Sequence, residues 1–249
     1  MADTRRSLPG GAARLTGIGS VLLVAGAFGG PVPLAAAVVL LQLAVASAWH
    51  DLLRAPGARA GSLVGLASGI AGTVAVAWGP GQRVGWLAVV ATAGVLGAFA
   101  QQLLGGAEGM ERLAGLSATS SLVVVEVLAP CWQVVGRGSL GPWVVATGVA
   151  GAVAATLLVA TAGTSTWSVS VAVLVGAGLG ALVGWVGPER LDPYACGAIA
   201  AAAALAATSG AQVRRVAGRS ARRAPATVGA LPLAVAGPAV LVAVRVVLG

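Results

Sequence analysis

The sequence predicts an all-α protein: a single integral membrane domain, residues 1–249, built as a polytopic bundle of eight or nine transmembrane helices. The composition is 58% hydrophobic and only 9% charged, whereas a soluble domain carries about 25% charged residues. The mean hydropathy is +0.95. The apolar residues also fall into separate runs, many of them near the length of about 20 residues that a helix needs to cross a bilayer.

Nine apolar runs predict the spans. The first is short for a crossing, and with the turn at Gly29–Gly30–Pro31 it could instead be re-entrant, so the alternative count is eight. Residues 1–30 then form a cytoplasmic N-terminus and this first short span. The predicted spans are residues 15–29, 32–50, 60–79, 84–104, 113–135, 143–162, 167–186, 193–210 and 227–247.

Arginine predicts the orientation. All 15 basic residues are Arg, and a cytoplasmic N-terminus places eleven of them inside and four outside. This is the bias of positive residues towards the cytoplasm, and it places the C-terminus outside. We expect a bacterial plasma membrane, with membrane lipids as partners. The bias also explains the net charge of +8 without a nucleic-acid partner.

Two further patterns describe the periphery of the spans. All seven Trp lie at or near span ends, which is typical of an interfacial aromatic belt.

Residues 31–137 and 142–249 also resemble two copies of one four-span unit at an offset of 107–108 residues. Four spans is an even number, so the copies would be parallel and related by an axis along the membrane normal; chance similarity is the alternative. The main matches are Trp78 with Trp185, Pro130 with Pro238, and Arg137 with Arg245.

Small residues predict close helix packing. Gly61, Gly65 and Gly69 recur every four residues in the third span, and Gly176, Gly180 and Gly184 do so in the seventh. Such stripes let helix backbones approach closely in lipid. The eighth span is almost entirely small residues, so we expect it to be tightly enclosed.

Glu126 is the one acidic residue well inside an apolar run. Thr119 and Gln133 lie seven residues before and after it, so the three share one helix face. Pro130 has no N–H, so the carbonyl of Glu126 loses its helical partner. Intramembrane acids usually face a bundle interior or a cavity, which favours a proton or substrate pathway. The alternative is a protonated acid hydrogen-bonded to a neighbouring helix as a packing device.

Other polar residues give weaker signals. Gln101 and Gln102 end the fourth span and could join a pathway vestibule with His50, although such residues are often simply solvated. His50–Asp51 is interpreted as an interfacial turn, because a metal site needs more ligands than this pair supplies. We expect no metal, no cofactor and no enzymatic activity, since the sequence has no catalytic motif and no carboxylate cluster.

Cys131 and Cys196 are predicted to lie at a similar depth near the outer side. A disulfide needs Cα atoms within about 7 Å, and two free thiols acting as small apolar residues are the favoured alternative.

The function that these patterns favour is a small permease or transporter-like protein of unknown substrate, proton-coupled through Glu126. One alternative is a non-catalytic membrane subunit or scaffold, whose partner would be another membrane protein or a second copy of this chain. The other is an enzyme acting on lipid-linked substrates. A polar, water-accessible cavity around Glu126 would favour transport. A dry Glu126 bonded to a neighbouring helix, together with an exposed glycine stripe, would favour the scaffold.

Overall fold

The computed structural model describes residues 10–55, 58–78, 83–105, 108–162, 165–188, 191–217 and 224–248. These residues form helices throughout, and the predicted all-α bundle is confirmed. The helices are α1 (Gly10–Gly29), α2 (Pro31–Ala46), α3 (Trp49–Leu53), α4 (Ala58–Trp78), α5 (Arg83–Leu104), α6 (Gly109–Leu128), α7 (Cys131–Val135), α8 (Gly141–Ala162), α9 (Thr166–Val186), α10 (Pro193–Ala217) and α11 (Pro225–Val247).

Nine spans in the described part of the chain are long and apolar enough to cross a membrane. The first is the helix Gly10–Gly29, which has 20 residues, so the count of nine is confirmed and a short re-entrant segment is not needed. The chain is a multi-pass membrane protein. We name the two faces of the bundle by α1: the Gly10 end, where α1 begins, and the Gly29 end, where α1 finishes and α2 begins.

Two of the nine spans are interrupted. The second breaks at Ser47 and Ala48 before the short α3, and the fifth breaks at Ala129 and Pro130 before the short α7. Pro130 accounts for the second break, because a proline inside a helix removes one backbone hydrogen bond and its ring crowds the preceding turn. At both breaks some backbone N–H and C=O groups lose their helical partners. Because lipid offers no hydrogen bonds, these groups need partners inside the bundle.

The helices pack in two groups that share α11. In the first group α4 packs against α2, α5 and α6; in the second, α10 packs against α8, α9 and α11. α11 also contacts α1, α2 and α7. We expected the small-residue eighth span to be tightly enclosed. On the face of α10 that packs against other helices this is so, because four alanines there are fully buried: Ala200, Ala203, Ala204 and Ala207.

Both glycine stripes lie at close helix contacts. A methyl group on Gly65 would lie 2.5 Å from the side chain of Leu122, and one on Gly184 would lie 2.9 Å from the backbone of Pro193. Gly61, Gly65 and Gly69 therefore bring α4 onto α6, and the second stripe brings α9 onto α10. Both stripes are buried inside the bundle.

The proposed repeat is not confirmed by the helix contacts. α4 packs extensively on α6, whereas α9, its counterpart, has no comparable contact with α11 in the described chain. Conversely, α8 packs extensively on α10, but α2 and α5 do not pack in this way. The repeat stays a prediction. Residues 1–9, Arg190 and the basic loop 218–223 lie outside the described residues.

Two tryptophans do not belong to an interfacial belt, so that prediction is wrong for them. Trp132 is fully buried and its indole N–H donates to the Leu233 carbonyl at 2.8 Å. Trp49 is also buried, and its indole donates to the Ala118 carbonyl. Sequence position at a span end did not reveal that each indole finds a backbone acceptor inside the bundle. Large exposed fractions fit the belt at Trp78, Trp167 and Trp185.

The two cysteines are free and buried, as the favoured alternative predicted. Cys131 packs with Val76, Leu87 and Val127, on α4, α5 and α6. Cys196 lies instead against Gly184 of α9. In the described chain neither α6 nor α7 packs extensively on α10, and Glu126 lies against Gly69 of α4 instead of the small-residue α10.

Candidate functional site

Glu126 lies inside the bundle with 1% of its surface exposed. Neither carboxylate oxygen has a hydrogen-bond partner among the described residues. The nearest wall is Gly69 of α4, where a methyl group would lie 2.8 Å from Oε2 of Glu126. The glycine therefore makes the space that the carboxyl group occupies, and any larger residue there would displace it.

The backbone carbonyl of Glu126 has a partner from another helix. Gln42 of α2 donates its amide Nε2 to this carbonyl at 3.0 Å. The carbonyl is free to accept because Pro130, four residues later, has no N–H to offer. Thr73 of α4 completes the group by donating its hydroxyl to Oε1 of Gln42 at 3.2 Å.

This cluster, Gln42–Thr73–Glu126, is assembled from three helices by ordinary sequence features. Gln42 is the only polar residue of α2, and it is 1% exposed. Thr73 follows Gly69 by one helical turn, so both face α6 and α2. The proline-released carbonyl gives the Gln42 amide its anchor, and the carboxyl group of Glu126 stays unbonded beside it.

A second polar cluster surrounds His50 towards the Gly10 end. His50 is 1% exposed; its Nδ1 lies 3.1 Å from the hydroxyl of Ser62, and its Nε2 lies 3.2 Å from that of Thr119. Gly61 leaves room for the imidazole, since a methyl group there would collide with Nε2. The interpretation of His50 as part of an interfacial turn is wrong, because α3 turns the ring into the bundle. Asp51, in contrast, is exposed.

At the Gly29 end, Gln133 lines a cavity of about 500 Å³. We call this space the Gln133 cavity. The Gln133 side chain is 3% exposed, and its Nε2 has no hydrogen-bond partner in the described part of the chain. Arg137 also lines the cavity, and its guanidinium donates to the Val76 carbonyl. Glu126 is not among the lining residues, so the cavity stops short of it.

Gln101 and Gln102 form a pair near the other end of α6. The amide of Gln102 donates to Oε1 of Gln101 at 3.0 Å, and Gln102 is 4% exposed. Gln102 packs against Gly115, where a methyl group would lie 2.6 Å from its Nε2. The hydrogen-bond partners of His50 are Ser62 and Thr119, and neither glutamine bonds to it among the described residues, so the vestibule that the sequence suggested is not formed by direct contacts.

These groups form one row along α6 and α7. From the Gly29 end they follow the order Gln133, Glu126 with Gln42, Thr119 with His50, and the Gln102 pair. The helix residues at which neighbouring groups lie, Gly115, Thr119, Glu126 and Gln133, are four to seven residues apart, which is about 6–10 Å along the axis. The fully buried Leu122 separates Thr119 from Glu126. The row supplies one carboxyl and one imidazole, groups that can take up and release protons.

No metal site is formed by three or more His, Cys, Asp or Glu side chains within the described ranges. Comparison with known protein families, curated proteins and solved structures finds no match. The function must therefore be inferred from the chemistry of this polar row.

The sequence analysis missed Gln42, Thr73 and Ser62. A signal for Gln42 was present, since it is a lone amide within an apolar run, and such a group needs a partner in lipid. Thr73 and Ser62 gave no comparable signal, because hydroxyls commonly bond to their own helix backbone. Only the packing of α4 against α2 and α6 shows that these two face other side chains.

Proposed function

We propose that this chain is a small membrane permease in which Glu126 carries protons coupled to solute movement. The observation that supports the proposal most is the buried Glu126 carboxyl without a hydrogen-bond partner in the described chain. Placing an ionisable group at mid-membrane costs about 2.5–3.5 kcal/mol on insertion scales. A packing device would offset that cost with a hydrogen bond, and this carboxyl makes none with the residues that the structure describes.

The surroundings of Glu126 support a pathway that is closed at this carboxyl. The Gln133 cavity does not reach Glu126, so the water-accessible cavity that would favour transport is not formed there; its lining residue Gln133 lies seven residues further along the chain, about 10 Å away. His50 and Thr119 continue the row towards the Gly10 end. Leu122 closes the row between them, as a gate must when one side is open. In this proposal the solute enters the cavity, and protons reach Glu126 when the contacts around Leu122 rearrange.

The proposed orientation places the Gly10 end in the cytoplasm of a bacterial cell. Its support is the split of eleven to four Arg between the two sides, which follows the positive-inside bias. The Gln133 cavity then faces outwards.

A scaffold is the second candidate, and one observation favours it. Glu126 is buried and outside the lining of the cavity, as a packing role requires, although its carboxyl has no bond to a neighbouring helix among the described residues. The scaffold proposal also requires an exposed glycine stripe to receive a partner helix. Both stripes are instead covered by α6 and α10 within the chain, so the permease remains the better supported function.

The test is proton movement in vesicles that contain the purified full chain and a trapped pH-sensitive dye. Gradients of small organic acids, amino acids and sugars are applied in turn, and proton uptake is recorded. We expect Glu126→Gln to fold normally and to abolish solute-driven proton uptake. Glu111→Gln is the matched control, because Glu111 is exposed near the start of α6. Equal uptake by Glu126→Gln and the wild type would remove Glu126 from the mechanism.

A further inference from the structure

We propose that the Gln133 cavity binds a small organic anion: an apolar molecule bearing one carboxylate, which is held by Gln133 and Arg137. This inference rests on the proposed permease function, because it names the solute class that the permease would carry. Binding can nevertheless be measured without transport, so the two proposals can fail separately.

The size and walls of the cavity suit an apolar body. Its volume of about 500 Å³ falls within the range of about 300–1,000 Å³ typical of small-molecule sites. The walls include Phe28, Leu34 and Pro142, and they come from the α1–α2 turn, the end of α4 and the segment around α7. Three lining residues, Phe28, Val32 and Trp78, are themselves more than half exposed, so the space is open on one side. A hydrocarbon body would cover this apolar surface, which is favourable in proportion to the apolar area that is buried.

Gln133 supplies an unsatisfied donor at this site. Its side chain is 97% buried, and Nε2 has no partner among the residues that the structure describes. Buried polar groups in proteins almost always have a partner, and each exception calls for an explanation. The amide can turn about its terminal side-chain bond, so an oxygen of a molecule bound in the cavity would give this nitrogen the partner that it lacks.

Arg137 supplies the charge. It is half-buried, and its bond to the Val76 carbonyl holds the guanidinium at the cavity wall. A guanidinium carries five N–H donors in a planar fork, so this bond leaves donors for an anion. The fork matches the two oxygens of a carboxylate better than it matches any single acceptor.

The charge of the side chains along the described lining of the cavity is of one sign, positive. Its polar side chains are the Gln133 amide, which carries both a donor and an acceptor, and the Arg137 guanidinium, and no acidic side chain is among the described residues that line it. A carboxylate would meet the Arg137 charge and no like charge, and the Gln133 amide can turn its N–H groups towards it. A cationic solute would be repelled by the Arg137 charge.

Benzoate, octanoate and 4-phenylbutyrate, each paired with its uncharged amide, are suitable probes. They are titrated into the purified full chain in neutral detergent, and binding is followed by tryptophan fluorescence, because Trp78 lines the cavity. We expect at least one acid to bind about tenfold or more tightly than its amide, since hydrogen bonds to charged groups are the stronger kind. No binding by any of the three acids, or equal binding of acid and amide, would overturn the proposal.

Three variants locate the carboxylate. Arg137→Gln should weaken acid binding about tenfold or more and leave amide binding unchanged, which also shows that the cavity is still formed. Gln133→Met, close in shape, should weaken both acid and amide by several-fold. Arg245→Gln is the matched control, because Arg245 is exposed at the same end of the bundle and outside the cavity lining. Loss of acid binding in the Arg245 variant as large as that in the Arg137 variant would refute a specific role for Arg137.

The anion could also belong to a lipid headgroup. The titration is repeated in lipid nanodiscs of phosphatidylcholine and in nanodiscs of phosphatidylglycerol to separate these two sources. Similar affinity for the acid in both lipids supports a soluble solute. Weaker acid binding in phosphatidylglycerol, caused by competition, assigns the site to a lipid headgroup and overturns the proposal of a soluble anion. Selective acid binding without any proton uptake in vesicles would refute the permease alone. Proton-coupled uptake of solutes with no preference for acids would refute the carboxylate site alone.

Discussion

Gln42 should stabilise the bundle only because Pro130 leaves a carbonyl without its helical partner. The perturbation is Gln42→Leu, which keeps a similar volume but removes the donor to the Glu126 carbonyl and the acceptor for Thr73. The Thr73 hydroxyl can turn to a carbonyl of its own helix. The Glu126 carbonyl has no such alternative, because residue 130 lacks an N–H.

The expected magnitude follows from that single unsatisfied group. A buried acceptor left without a partner costs about 1–3 kcal/mol in proteins, while hydrogen bonds between transmembrane helices average about 0.6 kcal/mol and reach about 1.7. We therefore expect Gln42→Leu to lower the free energy of unfolding by about 1–2 kcal/mol. In a Pro130→Ala background the restored N–H can bond to the carbonyl, so the cost of Gln42→Leu should fall by at least half.

The assay is a double-mutant cycle. The wild type, both single variants and the double variant are unfolded by increasing SDS in mixed micelles, with tryptophan fluorescence as the signal. A coupling of about 1 kcal/mol between Gln42 and Pro130 is expected, which is within the range for directly interacting sites. Additive costs, with Gln42→Leu equally damaging in both backgrounds, would refute the link between the proline and the amide.

Three other predictions follow from the packing and the orientation. Gly69→Ala should lower the free energy of unfolding by about 1–3 kcal/mol, the range for overpacked cores, because the added methyl group would lie 2.8 Å from the Glu126 carboxyl. Gly178→Ala is the control, because a methyl group there would have no atom within 4 Å. This control should be neutral or slightly stabilising in the same SDS titration. Trp132→Phe should cost about 0.6–1.7 kcal/mol, the range for hydrogen bonds between transmembrane helices, because it removes the bond to the Leu233 carbonyl; a change below the error of the titration would contradict the importance of that bond. A reporter that is active only outside the cytoplasm should be active when fused at Gly249 and inactive when fused in the segment 211–225, which joins the last two spans; a cytoplasmic Gly249 would contradict the proposed orientation.

The architecture could be predicted closely from composition. The nine predicted spans match the helices to within a few residues at nearly every boundary, as at residues 143–162 against the helix Gly141–Ala162. Lipid forces backbone groups into helices, so apolar length alone carries most of this information. The glycine stripes likewise identified close contacts, because only small residues allow them.

The site could be predicted only in part. Glu126 and its released carbonyl were visible from one acidic residue and one proline in the same apolar run. The partner, Gln42, lies 84 residues away on another helix, and no local pattern pairs them. His50 and Trp132 were misinterpreted for a related reason: a residue at a span end can face the lipid surface or turn inwards, and tertiary packing decides which.

The proposal that Glu126 is a proton carrier can be tested on the carboxyl group itself. Infrared difference spectra of the full chain in lipid, recorded across a pH step and after exchange into D2O, show its C=O band, assigned by loss of that band in Glu126→Gln. A proton carrier predicts a band that shifts in D2O and changes in intensity with the pH step. A band that responds to neither would show a permanently protonated group shut off from water, and would leave Glu126 as part of the packing.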